Sequence, residues 1–221
     1  MTGARAVFLM PPPFAARASA IAAEAGLALE SVNVFSDDAL RDAFASPANL
    51  LLSFGTSIIV PAAILQQPGL MAVNIHAASP RYPGRDPHHF AAFDGVTEYG
   101  ATMHVMTRHV DAGPIIGVER FAVERECPPV ELLRRANEAG FTLLRRLCDA
   151  LRSTGQLPQP IPEQWGPHRY TRKEFLELAR IDCTMSADEV RRRLRATAMP
   201  GYHNAYVMLH GHRFRIDDPD A

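Results

Sequence analysis

Three polar residues stand out for what they could do together. Asn74 and His76 close an apolar run, Leu70 to Ile75, and Asp111 follows 35 positions after His76 in a turn closed by Gly113 and Pro114. Side chains on a strand alternate faces, so Asn74 and His76 project together while Ile75 turns away. Acyl transfer to an amine needs an amide donor, an imidazole and a carboxylate. The amide N–H stabilises an oxyanion. An imidazole, with an ordinary pKa of about 6.5, moves protons near neutrality. A carboxylate orients the imidazole and favours its charged form. Taken alone, Asn-x-His at a strand end reads better as a hydrogen-bonded loop cap.

The elements that must position these groups alternate. Ala4 to Met10 reads as a short buried strand, Phe14 to Ala25 as a helix ended by Gly26, and Leu27 to Phe35 as a second strand. Ser36-Asp37-Asp38 caps a helix to about Phe44. Asn49 to Phe54 is a continuous apolar strand of the kind buried on both faces, Pro61 to Gln67 is a short helix, and the Leu70 strand follows. This alternation predicts an α/β fold: a Rossmann-like, mostly parallel twisted sheet with flanking helices. Ligands of such sheets sit beyond the carboxyl ends of the strands, where His76 and Gly55 fall. Asp86 to Phe93 reads as a helix capped by Asp86 with Pro87 at its first position, and strands Gly100 to Met106 and Pro114 to Ala122 flank the Asp111 turn. Pro128 to Leu151 is a long amphipathic helix with an apolar stripe of Val130, Leu133, Ala136, Phe141, Leu144 and Leu147; Arg134, Arg135, Arg145 and Arg146 lie opposite.

Gly155 to Pro167 is rich in Pro, Gln and Gly without a period, which reads as a linker draped over the surface. Beyond it, Thr171 to Arg180 is a helix, Ser186 to Glu189 a capping box opening a helix to Ala196, and Tyr202 to Leu209 and His212 to Ile216 strands meeting at a His210-Gly211 hairpin. The expected organisation is a catalytic domain over 1–154, a linker over 155–169 and a small C-terminal α+β appendage over 170–221.

Composition bounds the function. The net charge is −1 and every basic residue but Lys173 is arginine, so there is no electrostatic footprint for nucleic acid. Cys127, Cys148 and Cys183 share no metal or redox spacing, and their odd number argues against a disulfide framework. No apolar run reaches the ~18 residues of a membrane span. The five-residue apolar run before Pro11-Pro12-Pro13 is too short for a signal peptide, so a cytoplasmic protein is expected. His104 with His109, and His88 with His89, are candidate metal pairs, but His104 falls in a strand and the other three read as loop residues; no metal is expected.

Four motifs in order, Asn-x-His, Tyr-Pro-Gly-Arg at 82–85, Gly-x-Thr-x-His-x-Met at 100–106 and Val-Asp-x-Gly-Pro-Ile-Ile at 110–116, resemble the 10-formyltetrahydrofolate-dependent formyltransferases over about Leu50 to Glu119. The resemblance implies that Asn74, His76 and Asp111 form the catalytic trio and that 10-formyltetrahydrofolate is the donor. It implies that Ile58, Ile59 and Val60 and the run Thr107, Arg108, His109 and Val110 to Asp111 hold the pterin with backbone groups, and that Arg85 contacts cofactor or substrate. Ile58 to Val60 reads equally as partly core, and Arg85 as a solvated loop arginine.

The chain departs from the family after His76, where Ala77-Ala78-Ser79-Pro80 is one residue shorter than the usual Pro-Ser-Leu-Leu-Pro. Pro11-Pro12-Pro13 replaces the glycine-rich phosphate loop of glycinamide ribonucleotide enzymes, and prolines cannot supply the backbone N–H groups of an anion cradle. The larger basic C-terminal domain of the methionyl-tRNA enzymes is not seen. The tail from Tyr170 to Ile216 is similar to that of nucleotide-sugar N-formyltransferases. The expected acceptor is therefore a small primary amine, a nucleotide-linked amino sugar, and the hairpin near the C-terminus offers an edge for a homodimer. The alternatives are a formyltetrahydrofolate hydrolase, a formyltransferase for another small amine of siderophore or purine-pathway type, and a non-catalytic folate-binding relative.

Overall fold

A computed structural model describes residues 3–216; the outermost residues of both expected end segments lie outside it. The first half is built from β1 (Ala4–Leu9), α1 (Pro12–Glu24), β2 (Leu29–Val34), α2 (Asp37–Ala43), β3 (Leu50–Phe54), α3 (Ala62–Leu65) and β4 (Met71–His76). These four strands pair in parallel, and β5 (Glu98–Val105) and β6 (Ile115–Ala122) extend the sheet antiparallel, giving the order β2-β1-β3-β4-β5-β6. The mostly parallel sheet is as expected, with one hairpin beside β4.

Neighbouring residues of one strand feed opposite cores. Phe8, Met10, Leu52, Phe54 and Ile75 pack on the face covered by α1 and by α5 (Pro129–Thr154). Val7, Leu9 and Leu51 pack on the other face with Leu40 of α2 and Ile64 of α3. A strand buried on both sides has no polar alternation, and β3 is buried at every position. β2, one of the two edge strands, is largely exposed.

Some boundaries move for physical reasons. The α1 helix begins at Pro12, earlier than expected, because first-turn N–H groups have no intrahelical partner and proline costs nothing there. Four of the six residues expected in the α5 stripe, Ala136, Phe141, Leu144 and Leu147, are buried; in its first turns Leu132 is buried, whereas Val130 is exposed and Leu133 only half-buried. Asp86 precedes α4 (Pro87–Asp94) but does not cap it: it is in the left-handed region (φ 55°) and its carboxylate instead accepts from Arg172 Nη1 at 3.2 Å.

The C-terminal part comprises α6 (Arg172–Ala179), β7 (Arg180–Ile181), α7 (Ala187–Thr197), β8 (Tyr206–Leu209) and β9 (His212–Arg215), the strands forming a small separate sheet. A full capping box sits at Thr171 and Glu174, which the sequence reading did not single out. The box expected at Ser186 is half-formed. Ser186 Oγ accepts from Glu189 N, while the Glu189 carboxylate takes Arg193. His210 and Gly211 have φ of 49° and 83°, the left-handed pair that a tight hairpin turn requires. The strand expected from Tyr202 starts at Tyr206, after an isolated bridge between Met199 and Tyr202. Phe175 and Leu178 of α6 and Ala196 of α7 share a third core with Phe90, Ala91, Tyr99, Leu132 and Ala136. Among the described residues no helix is long and apolar enough to cross a membrane.

Candidate active site

The β4 strand ends inside the sheet, so its last side chains are delivered to a fixed place. Asn74 and His76 share a face, as their spacing requires, and the antiparallel β5 sets His104 directly opposite Asn74 and Thr102 opposite His76. The β5–β6 register shifts at Met103/His104, an irregularity of the kind that re-aims side chains next to functional sites. The chain then turns through 106–114 and brings Asp111 back over the strand end. Asp111 lies in the left-handed region (φ 45°) and is 5% exposed.

The carboxylate of Asp111 joins the site. Its Oδ2 lies 3.5 Å from Nδ1 of His76, and its Oδ1 lies 3.4 Å from Nε2 of His104. The Gly84 backbone N–H donates to Oδ2 at 2.9 Å. Gly84 has φ 103°, and a Cβ there would fall 2.2 Å from the Tyr170 carbonyl oxygen. Only glycine lets this loop reach the acid while pairing with Tyr170 behind it. Burial alone would push the Asp111 carboxyl up; the charge of His76, the His104 hydrogen bond and the Gly84 N–H outweigh it and hold the group at about 2.

Each imidazole is tethered at both nitrogens. His76 Nε2 donates to the Tyr82 carbonyl at 2.9 Å, leaving Nδ1 facing Asp111. His104 Nδ1 donates to the Val105 carbonyl at 3.0 Å, so Nε2 faces both Asp111 and Asn74 Nδ2, the latter at 3.1 Å. With the His104 proton on Nδ1 the ring is neutral and Nε2 accepts one Asn74 N–H, leaving the other for a ligand; in the protonated ring Nε2 donates to Asp111 instead. The side chains are 10% exposed for His76 and 4% for Asp111, so an incoming group meets only an edge of the His76 ring, with little water beside it.

The structure brings Asn74, His76 and Asp111 together. The expected pterin segments fall at the rim. Val60 is buried, Ile58 half-buried and Ile59 exposed; Ile58 and Val60 share an apolar cluster with Met106 at the start of the Asp111 turn. Thr107, Arg108, His109 and Val110 form an exposed lip, with Thr107 Oγ1 donating to the His109 carbonyl and Arg108 Nε to His109 Nε2. Two irregular loops with exposed apolar side chains, Ile59 and Val110, can cover a flat heterocycle and offer it backbone groups. Arg85 is exposed, and its backbone N–H donates to Tyr170.

Four contributors were missed. His104 carries the acid's second partner. The Tyr82 carbonyl and Gly84 N–H act through the backbone, which no side-chain pattern reveals. Trp165, in the presumed linker, packs on both imidazoles. The loop reading of two further histidines is corrected: His88 and His89 lie in α4. His89 Nδ1 donates to the Ala196 carbonyl at 2.7 Å. Burial, then the charges of His89 and His76, lowers His88 to about 3, and its Nδ1 finds no partner among the described residues. A cleft of about 550 Å³ flanks the Ser79–Tyr82 loop but takes in none of the trio; its arginines, Arg81 and Arg120, are paired with Asp94, Glu98 and Glu163.

Comparison with known proteins places this geometry. A family model described as formyl transferase matches residues 12–147. The methionyl-tRNA formyltransferase of Gluconobacter oxydans (strain 621H) is 30% identical over 210 residues, covering 89% of this chain and 66% of that protein. The chain spans between half and two thirds of the length of the curated relatives it matches first. A sugar N-formyltransferase from Shewanella sp. FDAARGOS_354 superposes with a TM-score of 0.76 at 16% identity, over 96% of each chain. HypX from Aquifex aeolicus in complex with tetrahydrofolic acid superposes with a TM-score of 0.68 at 16% identity, over 96% of this chain and 37% of that one. The two structural likenesses show a shared fold.

Proposed function

The chain belongs to the formyl transferase family, and from that premise we propose that it transfers the formyl group of 10-formyltetrahydrofolate to a primary amine, the acceptor being a nucleotide-linked amino sugar. The observation that carries the reading is the Asp111 carboxylate brought within 3.5 Å of His76, on the strand face that also presents Asn74.

In this reading the donor, lying against Ile58 to Val60 and Thr107 to Val110, supplies an activated formyl carbonyl. Asn74 directs its remaining N–H at the oxygen that becomes negative as the amine adds. His76 handles the protons at Nδ1, Nε2–H staying on the Tyr82 carbonyl: Nδ1 takes one from the attacking nitrogen, with Asp111 beside it to favour the charged ring, and returns one to the departing folate nitrogen. Asp111 fixes the imidazole and balances its charge. His104, neutral with its proton on Nδ1, accepts one N–H of the Asn74 amide, so the remaining N–H is oriented before substrate arrives. The near-complete burial of the carboxylate keeps these interactions in a low-dielectric setting, where they are strongest.

The amino-sugar acceptor is supported by the similarity of fold to the Shewanella sugar enzyme over nearly the whole of both chains. A net charge of −1 within this chain also suits a small acceptor better than a polyanion. The curated relatives favour a second reading, in which methionyl-tRNA is the acceptor. An acceptor panel separates them. Tetrahydrofolate release should require an amino-sugar nucleotide; release with charged tRNA instead selects the second reading, and release in buffer alone means a hydrolase. His76→Ala should retain the fold and lose turnover, and full activity in that variant rejects the assignment.

A further inference from the structure

Trp165 lies in the stretch between α5 and α6 that composition marks as a linker, yet the chain is tied down on both sides of it. Ile161 N donates to the Ile115 carbonyl at 2.9 Å and Gly166 N to the Pro80 carbonyl at 2.8 Å. A Cβ on Gly166 would fall 2.4 Å from the Arg81 carbonyl oxygen, so the strap lies directly on the loop that follows His76. Between these anchors the indole meets three parts of the site. Its Nε1 donates at 2.9 Å to the Gly113 carbonyl, two residues beyond Asp111. Its ring stands edge to face with His76, at 5.9 Å between centroids and 65°, and with His104, at 5.1 Å and 87°.

A residue that only filled space would need apolar neighbours; this one is hydrogen-bonded to the turn that carries the acid and packed on both imidazoles that grip it. We propose that Trp165 is a positioning residue that clamps the Asp111 turn against His76 and His104 and closes that flank of the site to water. The proposal rests on the trio acting as described above. Edge-to-face contact restrains the imidazole planes, and the indole N–H restrains a turn whose acid sits in an unfavourable backbone region.

The chain has a single tryptophan, so its emission reports this one place. The imidazoles packed on the indole are those of His76 and His104, so the emission senses both. His76→Gln and His104→Asn should each change the wavelength or intensity of that emission. Trp165→Phe, which keeps an aromatic ring and loses the N–H, should lower kcat about tenfold, the loss of one well-placed hydrogen bond, with KM for the folate donor unchanged. Emission unaltered by both histidine substitutions overturns the proposal, as does wild-type kcat in Trp165→Phe. If that variant fails to fold, Gly166→Ala lifts the strap with the indole intact; red-shifted emission and lower kcat support the clamp, and no change in either refutes it. Should the wild type transfer no formyl group, the functional reading fails by itself. The clamp is then decided by the imidazole Cε1–H resonances, which Trp165→Phe must shift if the ring packs on them and leaves unmoved if it does not.

Discussion

Replacing Asp111 with asparagine keeps the side chain's shape and its ability to accept from Gly84 but removes the charge between two imidazoles. The structure sets the size of the effect. The carboxyl is lowered from 3.8 to about 2 in the folded chain. A group whose folded value is depressed stabilises the fold fully above its unfolded value, and that stabilisation disappears as pH falls through the folded value. The contribution is about 2 kcal/mol at pH 5 and shrinks to about 1 kcal/mol at pH 3. Urea unfolding of wild type and Asp111→Asn at a series of pH values reads the difference directly. The gap should be at its full size from about pH 5 upward and narrow steadily on acidification below it. A gap that stays constant with pH, or a variant as stable as wild type at pH 5, would refute the claim that the acid is held ionised by its two histidines.

Other substitutions test neighbouring parts of the site and core. Asn74→Ala should lower kcat by two to three orders of magnitude, about 3 kcal/mol of barrier, with little change in donor KM, as the loss of one oxyanion donor does elsewhere; steady-state kinetics decides. Gly84→Ala forces a Cβ to 2.2 Å from the Tyr170 carbonyl at a φ of 103°. It should destabilise the chain by more than the ~1 kcal/mol of a simple left-handed penalty, seen as a lower melting temperature and weaker activity together. Phe54→Ala removes a fully buried ring packed edge-on against Phe141 at 5.1 Å and tilted against Phe14 at 4.9 Å and should cost about 3–5 kcal/mol in urea unfolding.

Much of this architecture was legible because its causes are local. Continuous apolar runs marked β1 and β3, and alternation marked the face shared by Asn74 and His76. The turn after β5 was readable from Asp111, Gly113 and Pro114. The role of His104 was not, because it depends on which residue of β5 faces Asn74 across an antiparallel pair, and strand register is a long-range choice. The start of the α5 stripe was misjudged for a related reason: Val130 and Leu133 are as apolar as Leu132, and only the docking of the helix selects among them. Trp165 was overlooked because an irregular segment has no period to betray which side chain turns inward. A lone tryptophan among prolines was the available signal.

The third core has a practical corollary for anyone cutting or recombining this chain. Phe175, Leu178 and Ala196 close over Phe90, Tyr99 and Leu132, and a buried imidazole ties α4 to the end of α7. A fragment stopped after α5 would present an oily, unpaired surface beside the very helix that follows the Gly84 loop. Grafting a foreign tail onto this scaffold, to redirect which amine is accepted, should therefore carry its matching α4 with it or expect inclusion bodies.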